Sequence, residues 1–214
     1  MSLPSLIISF LLAITIHEAA HAWMADRLGD PTARLMGRLT LNPLAHIDLY
    51  GTVLFPLMLI LLRFPIVFGW AKPVRYDPYN LANPRRDSAL ISLAGPLSNL
   101  ALATIAALVL RIISTPFSPL LFFSSFLSYL ILINVALAIF NLLPIHPLDG
   151  GKILVGLLPQ KEAYEADVFL KRYGIFILLF LIFPIFGGMS FISLVLWPVI
   201  SFLAGILIPG SPII

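Results

Sequence analysis

Six apolar runs separated by three long polar stretches set the pattern of this chain. The runs cover Leu3–Met24, Leu49–Phe68, Ser88–Ile113, Leu120–Leu143, Tyr173–Phe186 and Met189–Pro209; the polar stretches are Ala25–Asp48, Gly69–Asp87 and Pro144–Arg172. A helix needs about 20 apolar residues to cross the hydrocarbon core of a bilayer. The pattern therefore predicts an all-α polytopic membrane protein with about five to six transmembrane helices. Gly187-Gly188 reads as a tight turn between the last two spans. The first run has no basic flank before it and no small-residue cleavage site, so it reads as a retained span.

The second run is ambiguous. Leu49–Leu62 is free of charge over 14 residues, contains Pro56, and is followed by Arg63 and Pro65. Runs that short suggest a re-entrant element; the alternative is a full crossing to Phe68 with Arg63 buried. Charge placement separates the two. If the run dips in and returns, all three polar stretches share one face, which collects 12 of the 13 Lys and Arg residues and leaves only Arg111 outside it. If the run crosses, Arg27, Arg34 and Arg38 oppose the other two stretches. The first arrangement is the cleaner positive-inside pattern, with the polar stretches cytoplasmic and the amino terminus outside.

Composition agrees. The chain is 60% hydrophobic and 11% charged, with a mean hydropathy of +1.03, whereas soluble domains carry roughly 25% charged residues. The net charge of +3 is spread through short loops, which reads as a topology signal and not as nucleic-acid binding. There is no cysteine, so disulfides and thiolate metal sites are excluded. A metal would have to use four histidines, ten carboxylates or weaker oxygen ligands.

His17-Glu18-Ala19-Ala20-His21 lies inside the first apolar run. Positions i and i+4 share a helical face, so both imidazoles reach one ion, with Glu18 beside them to hold a water. A carboxylate in an apolar helix costs roughly 3 kcal/mol near the bilayer centre, and three ionisable groups in helical register argue against a metal-free hydrogen-bond cluster. His21 is five residues before Asp26, so it lies roughly 7 Å below the interface at about 1.5 Å per residue. Catalytic zinc takes three protein ligands and keeps one position for water. Asp149, in Asn141-Leu-Leu-Pro-Ile-His-Pro-Leu-Asp149-Gly150-Gly151, is the strongest candidate for the third. The competing reading is an Asp that caps the helix starting near Lys152. Asp149 shares a face with the histidines only if the second run is re-entrant.

These residues resemble a known family. His17-Glu18-Ala-Ala-His21, Ala94-Gly95-Pro96-Leu97-Ser98-Asn99 and the Asn141–Gly150 stretch look like the motifs of the site-2 proteases, which are intramembrane zinc metalloproteases. Phe68-Gly69-Trp70-Ala71-Lys72-Pro73-Val74 is similar to a segment of the small prokaryotic members without PDZ or CBS domains. The resemblance covers roughly residues 10–155. It implies one Zn2+ per chain on His17, His21 and Asp149, Glu18 as catalytic base, and Asn141 beside the scissile carbonyl or substrate backbone. It also implies a three-helix catalytic core near the cytoplasmic face of a prokaryotic cell membrane, acting in regulated intramembrane proteolysis. On this reading residues 1–214 form one metalloprotease domain, with the core over about 3–155 and accessory helices over about 156–209.

The expected partners are the lipid bilayer and a transmembrane substrate protein, with oligomeric state left open. A substrate helix must unwind before attack, and an unwound strand in lipid needs new backbone partners. Ile66–Val74, rich in strand formers, is expected to supply them as a membrane-dipping edge strand or loop; the alternative is an interfacial loop anchored by Trp70. Asn99 is expected to tie helices together, with support of the zinc site as the alternative, and Asn134 to serve in packing. His46 and Asp48 are expected to shape the turn into the re-entrant run, and His146 to lie at the interface. Lys161–Arg172 reads as a surface helix before the fifth span. The rival function is a metal-ion transporter that uses the same ligands transiently.

Overall fold

The computed structural model describes residues 3–62, 69–115, 118–186 and 189–208. Three of its helices are long and apolar enough to cross a membrane: α1 (Leu3–Arg27), α4 (Pro84–Ile113), and α5 (Ser124–Asn141) with the short turn before it. α2 (Thr32–Leu35) and α3 (Phe55–Leu61) lie between α1 and α4. α6 (Asp149–Leu157), α7 (Gln160–Ile182) and α8 (Phe191–Leu207) complete the chain. The fold is that of an all-α polytopic membrane protein, with one short antiparallel pair, β1 (Pro184–Phe186) and β2 (Met189–Ser190). That pair flanks Gly187-Gly188, which lie outside the described residues. The expected surface helix and the fifth apolar run are one continuous helix, α7, because no Gly-Pro punctuation separates Arg172 from Tyr173.

α4 is the hub. It opens with Pro84 at a position where the missing N–H is not needed, and the Asp87 carboxylate accepts from Asn83 N (2.8 Å) to close the first turn. Further along, Ala103, Ala106 and Ala107 let α5 and α8 approach closely around Ile131, Val135, Leu196 and Ile200.

The segments that flank the second apolar run are held side by side. Asp48 accepts from Tyr50 N (3.0 Å) and Gly51 N (2.7 Å), starting a π-helical turn, Leu49–Leu54, that runs into α3. Residues 63–68, with Arg63, Pro65 and the first part of the expected edge strand, lie outside the described residues. Beyond them, Trp70 N donates to Gly51 O (3.1 Å) and Thr52 Oγ1 donates to Trp70 O (2.8 Å). The two ends of the run therefore meet. Asp48 shapes the entry as expected, and buried His46 contributes through a bond to Thr40 O (2.9 Å).

The three polar stretches are tied to one another. Asp30, fully buried, accepts from Thr32 N and Oγ1, from Asn80 Nδ2 (2.7 Å) and from Asp77 N (2.9 Å), joining the first stretch to the second. Lys152 lies over the Tyr76 ring (4.8 Å), joining the second to the third. Burial opposes ionisation of Asp30, but the bonds from Thr32, Asn80 and Asp77 prevail and hold its carboxyl below the usual range. The Asp30 contribution to stability is therefore full above the unfolded-state pKa of about 4 and lost as pH falls through the lower folded value. Asp30→Ala should cost about 2 kcal/mol or more, since it orphans several donors at once. Thermal unfolding of the purified protein checks this, and the deficit against wild type should shrink toward acid pH.

Candidate metal centre

α1 presents Ala13, His17, His21 and Ala25 at four-residue spacing, and α4 answers with Ile91, Gly95 and Asn99 at the same spacing. The two ridges run antiparallel and meet residue against residue. Asn99 Nδ2 donates to Ala13 O (3.1 Å) and to Asn134 Oδ1 on α5 (2.7 Å). Asn134 Nδ2 in turn donates to Leu130 O (2.7 Å). These bonds fix the orientation of both amides, so Asn99 Oδ1 faces His17 Nδ1 (2.6 Å) and can only accept from it. His21 Nδ1 donates to Ile91 O (2.7 Å), a carbonyl that likewise can only accept.

Both Nδ1 protons are thus committed outward, and the two Nε2 atoms face each other, 3.0 Å apart. The rings are edge to face, centroids 4.6 Å apart. Asp149 Oδ2 completes the triangle, 3.1 Å from His17 Nε2 and 3.3 Å from His21 Nε2. Three acceptor atoms converging in a buried place repel one another unless a cation lies among them. Ligands about 2.0–2.1 Å from a tetrahedral ion stand roughly 3.3 Å apart, and the three observed separations approach that spacing. His17, His21 and Asp149 therefore fit a zinc ion, and they form the one such cluster among the described residues.

Asp149 is the first residue of α6 and makes no capping bond with its side chain; the carboxylate faces the imidazoles instead. The glycines after it are required by close packing. A Cβ on Gly150 would strike the Leu142 and Leu143 carbonyls at the end of α5, and one on Gly151 would come within 3.0 Å of the Ile145–His146 backbone. On the opposite side of the centre, a Cβ on Gly95 would lie 2.5 Å from His21 Nε2 and 2.6 Å from His17 Cε1.

Glu18 turns away from the ridge toward the Gly69–Asp77 stretch, where its Oε2 accepts from Val74 N (2.9 Å). Asn141, the last residue of α5, donates from Nδ2 to Leu137 O (3.0 Å) and is not bonded to the histidine–aspartate cluster. His146 is half-buried and lies 3.9 Å from Asp167.

Residues 5–121 and 112–183 match peptidase family M50. The chain belongs to that family. Among its M50 relatives, YwhC of Bacillus subtilis is 38% identical over 207 residues, covering 93% of this chain and 87% of YwhC. Rip2 of Mycolicibacterium smegmatis is 31% identical over 192 residues, covering 89% of this chain and 71% of Rip2. MJ0392 of Methanocaldococcus jannaschii is 26% identical, over 74% of this chain and 36% of MJ0392. All three names contain the words zinc metalloprotease. No solved structure matches the chain. This M50 protein is a metalloprotease with three helices long and apolar enough to cross a membrane.

Asn99 and Gly95 escape a reading that looks only for ligands, although their i, i+4 spacing in Gly95-Pro96-Leu97-Ser98-Asn99 marks one helical face. Asn99→Leu should weaken zinc binding about 10- to 100-fold, the usual effect of losing the partner that orients a ligating histidine. Gly95→Ala should drive the rings apart and leave the purified protein with little zinc. Chelator competition and metal analysis measure both, with circular dichroism to confirm that helix content is kept.

Proposed function

We propose that this chain is an intramembrane endopeptidase that holds one zinc on His17, His21 and Asp149 and hydrolyses peptide bonds in or near transmembrane segments of other membrane proteins. The observation that carries the reading is the inward triangle of three acceptor atoms, with the Glu18 carboxylate one residue along the same helix from His17. Zinc bound there supplies Lewis acidity that brings the pKa of a water down toward about 7. Glu18 takes the proton of the attacking water and returns it to the leaving amine. The Val74 N–H engages one oxygen of Glu18, which fixes the carboxylate plane and keeps the other oxygen for the proton. Asn141 is assigned to the substrate backbone. One of its two amide N–H groups is engaged by Leu137 O, which leaves its amide oxygen and its second N–H for the substrate backbone.

The Gly69–Asp77 stretch has neither helix nor ladder, and from Trp70 to Val74 its hydrogen bonds alternate. Trp70 N donates to Gly51 O, Lys72 N to His46 O (2.9 Å) and Val74 N to Glu18. Every second N–H faces the protein, as in a strand with one edge occupied. The other edge, at Ala71, Pro73 and Arg75, is left for the unwound substrate and takes up the backbone groups that its helix releases. The polar stretches are knit together at the ends of α1 and α4 and carry most of the cations, which by the positive-inside rule supports a cytoplasmic position for this face, and the bacterial and archaeal relatives support a prokaryotic cell membrane. The reaction is then the membrane step of regulated intramembrane proteolysis, within a single domain formed by the whole chain.

Glu18→Gln keeps the ligand triangle and removes the proton carrier. It should retain one zinc per chain while cleavage falls by about 100-fold or more. Co-expression with single-span substrates, read by immunoblot beside metal analysis of the purified variant, tests this. Proteolysis at the wild-type rate in a zinc-loaded Glu18→Gln protein would remove Glu18 from its role. Rapid zinc exchange with flux into vesicles would move the protein to the transporter class.

A further inference from the structure

A cavity of about 800 Å3 opens on the polar face, at some remove from the metal centre, where α4, α6 and α7 meet. Arg85, Arg86, Lys152 and Lys171 line it together with Tyr76 and Tyr164. Asp167 is the one acidic residue in its wall, and it is engaged by Lys171 (2.5 Å). Among the described residues, Arg85, Arg86 and Lys152 form no ion pair. The field inside is accordingly positive. Burial first, and then Lys152 and Lys171, push the His146 imidazole below its ordinary value despite Asp167.

We propose that this cavity binds the phosphodiester headgroup of an anionic phospholipid from the adjoining leaflet. The height of the cations supports a lipid source. Arg85 and Arg86 stand in the first turn of membrane-crossing α4, and Lys171 lies two residues before the apolar half of α7 begins at Tyr173. Both places are polar ends of apolar helical segments, which suit the level of lipid phosphates. Tyr76 and Tyr164 offer the amphipathic rings that suit this depth. Along the flank of α7 that carries Tyr164 and Lys171, four-residue steps lead to exposed Val168, Ile175 and Leu179, an apolar surface along which acyl chains can lie and for which a free phosphate ester has no use. Unpaired cations near a bilayer each contribute attraction to anionic lipid, and a walled cavity turns that general attraction into a site.

Occupancy bears on the centre through Lys152. It is three residues after Asp149 on α6, and it is held over Tyr76, two residues beyond Val74, whose N–H engages Glu18. A headgroup that draws on Lys152 thus touches both the carboxylate side and the base side of the site.

The test uses the full, zinc-loaded chain in phosphatidylcholine vesicles with and without phosphatidylglycerol, with bound lipid counted by native mass spectrometry after extraction. Wild type should retain phosphatidylglycerol in preference to phosphatidylcholine by tenfold or so, and Arg85→Gln/Arg86→Gln should lose most of that preference. Lys152→Gln should lose part of it, which keeps the test open if the double variant does not fold. Lys161→Gln, a cation outside the cavity, should keep it. Equal retention in wild type and the cavity variants would overturn the proposal, as would an equal loss in Lys161→Gln, which would mean surface attraction alone. Soluble glycerol phosphate displacing the lipid at comparable concentration would overturn it too, because the cavity would then be a site for free phosphate esters.

Discussion

Two protons on two imidazole rings decide what this site can be. His17 gives its Nδ1 proton to Asn99, and His21 gives its own to a main-chain carbonyl of α4. Everything inward of the rings is then an acceptor. The arrangement depends on the ridges of α1 and α4 meeting in register, and that register depends on Gly95, where a helix with any side chain would hold the two axes apart. Ridges built on four-residue rows interlock in this way because successive rows present matching knobs and gaps. A metal preference is thereby written into helix packing.

The polar groups inside the apolar core form a directed chain. Asn134 spends one donor on Leu130 O, Asn99 spends two on Ala13 O and Asn134, and the remaining oxygen serves His17. No member could be flipped without placing a donor against a donor. In lipid, where water cannot repair such an error, the chain is what keeps three helices in one arrangement. Packing and support of the metal centre are therefore the same task for Asn99, which the sequence reading had treated as alternatives.

Much of this was legible from spacing. His17, Glu18 and His21 announce themselves because a helix repeats every 3.6 residues and because charge inside an apolar run needs a reason. A re-entrant run was expected from cation placement, and the meeting of Gly51 with Trp70 accords with it. Asp149 was legible only as one of two readings. Its neighbour glycines suit a tight corner, but which way the carboxylate turns depends on α5 carbonyls far from it in kind, though close in sequence. The Ile91 carbonyl was invisible, since a main-chain oxygen leaves no mark in a sequence. So was the bond from Val74 to Glu18, which joins positions 56 apart. The continuity of α7 was missed because polarity changes at Arg172 while the helix does not.

The alternating bonds of the Gly69–Asp77 stretch also constrain how this chain can vary. Because inward and outward backbone groups trade places at each step, removing or adding a single residue there would exchange the two rims, aiming the wrong one at Glu18. A change of two would restore them. A lone insertion in this stretch therefore amounts to turning the rail over.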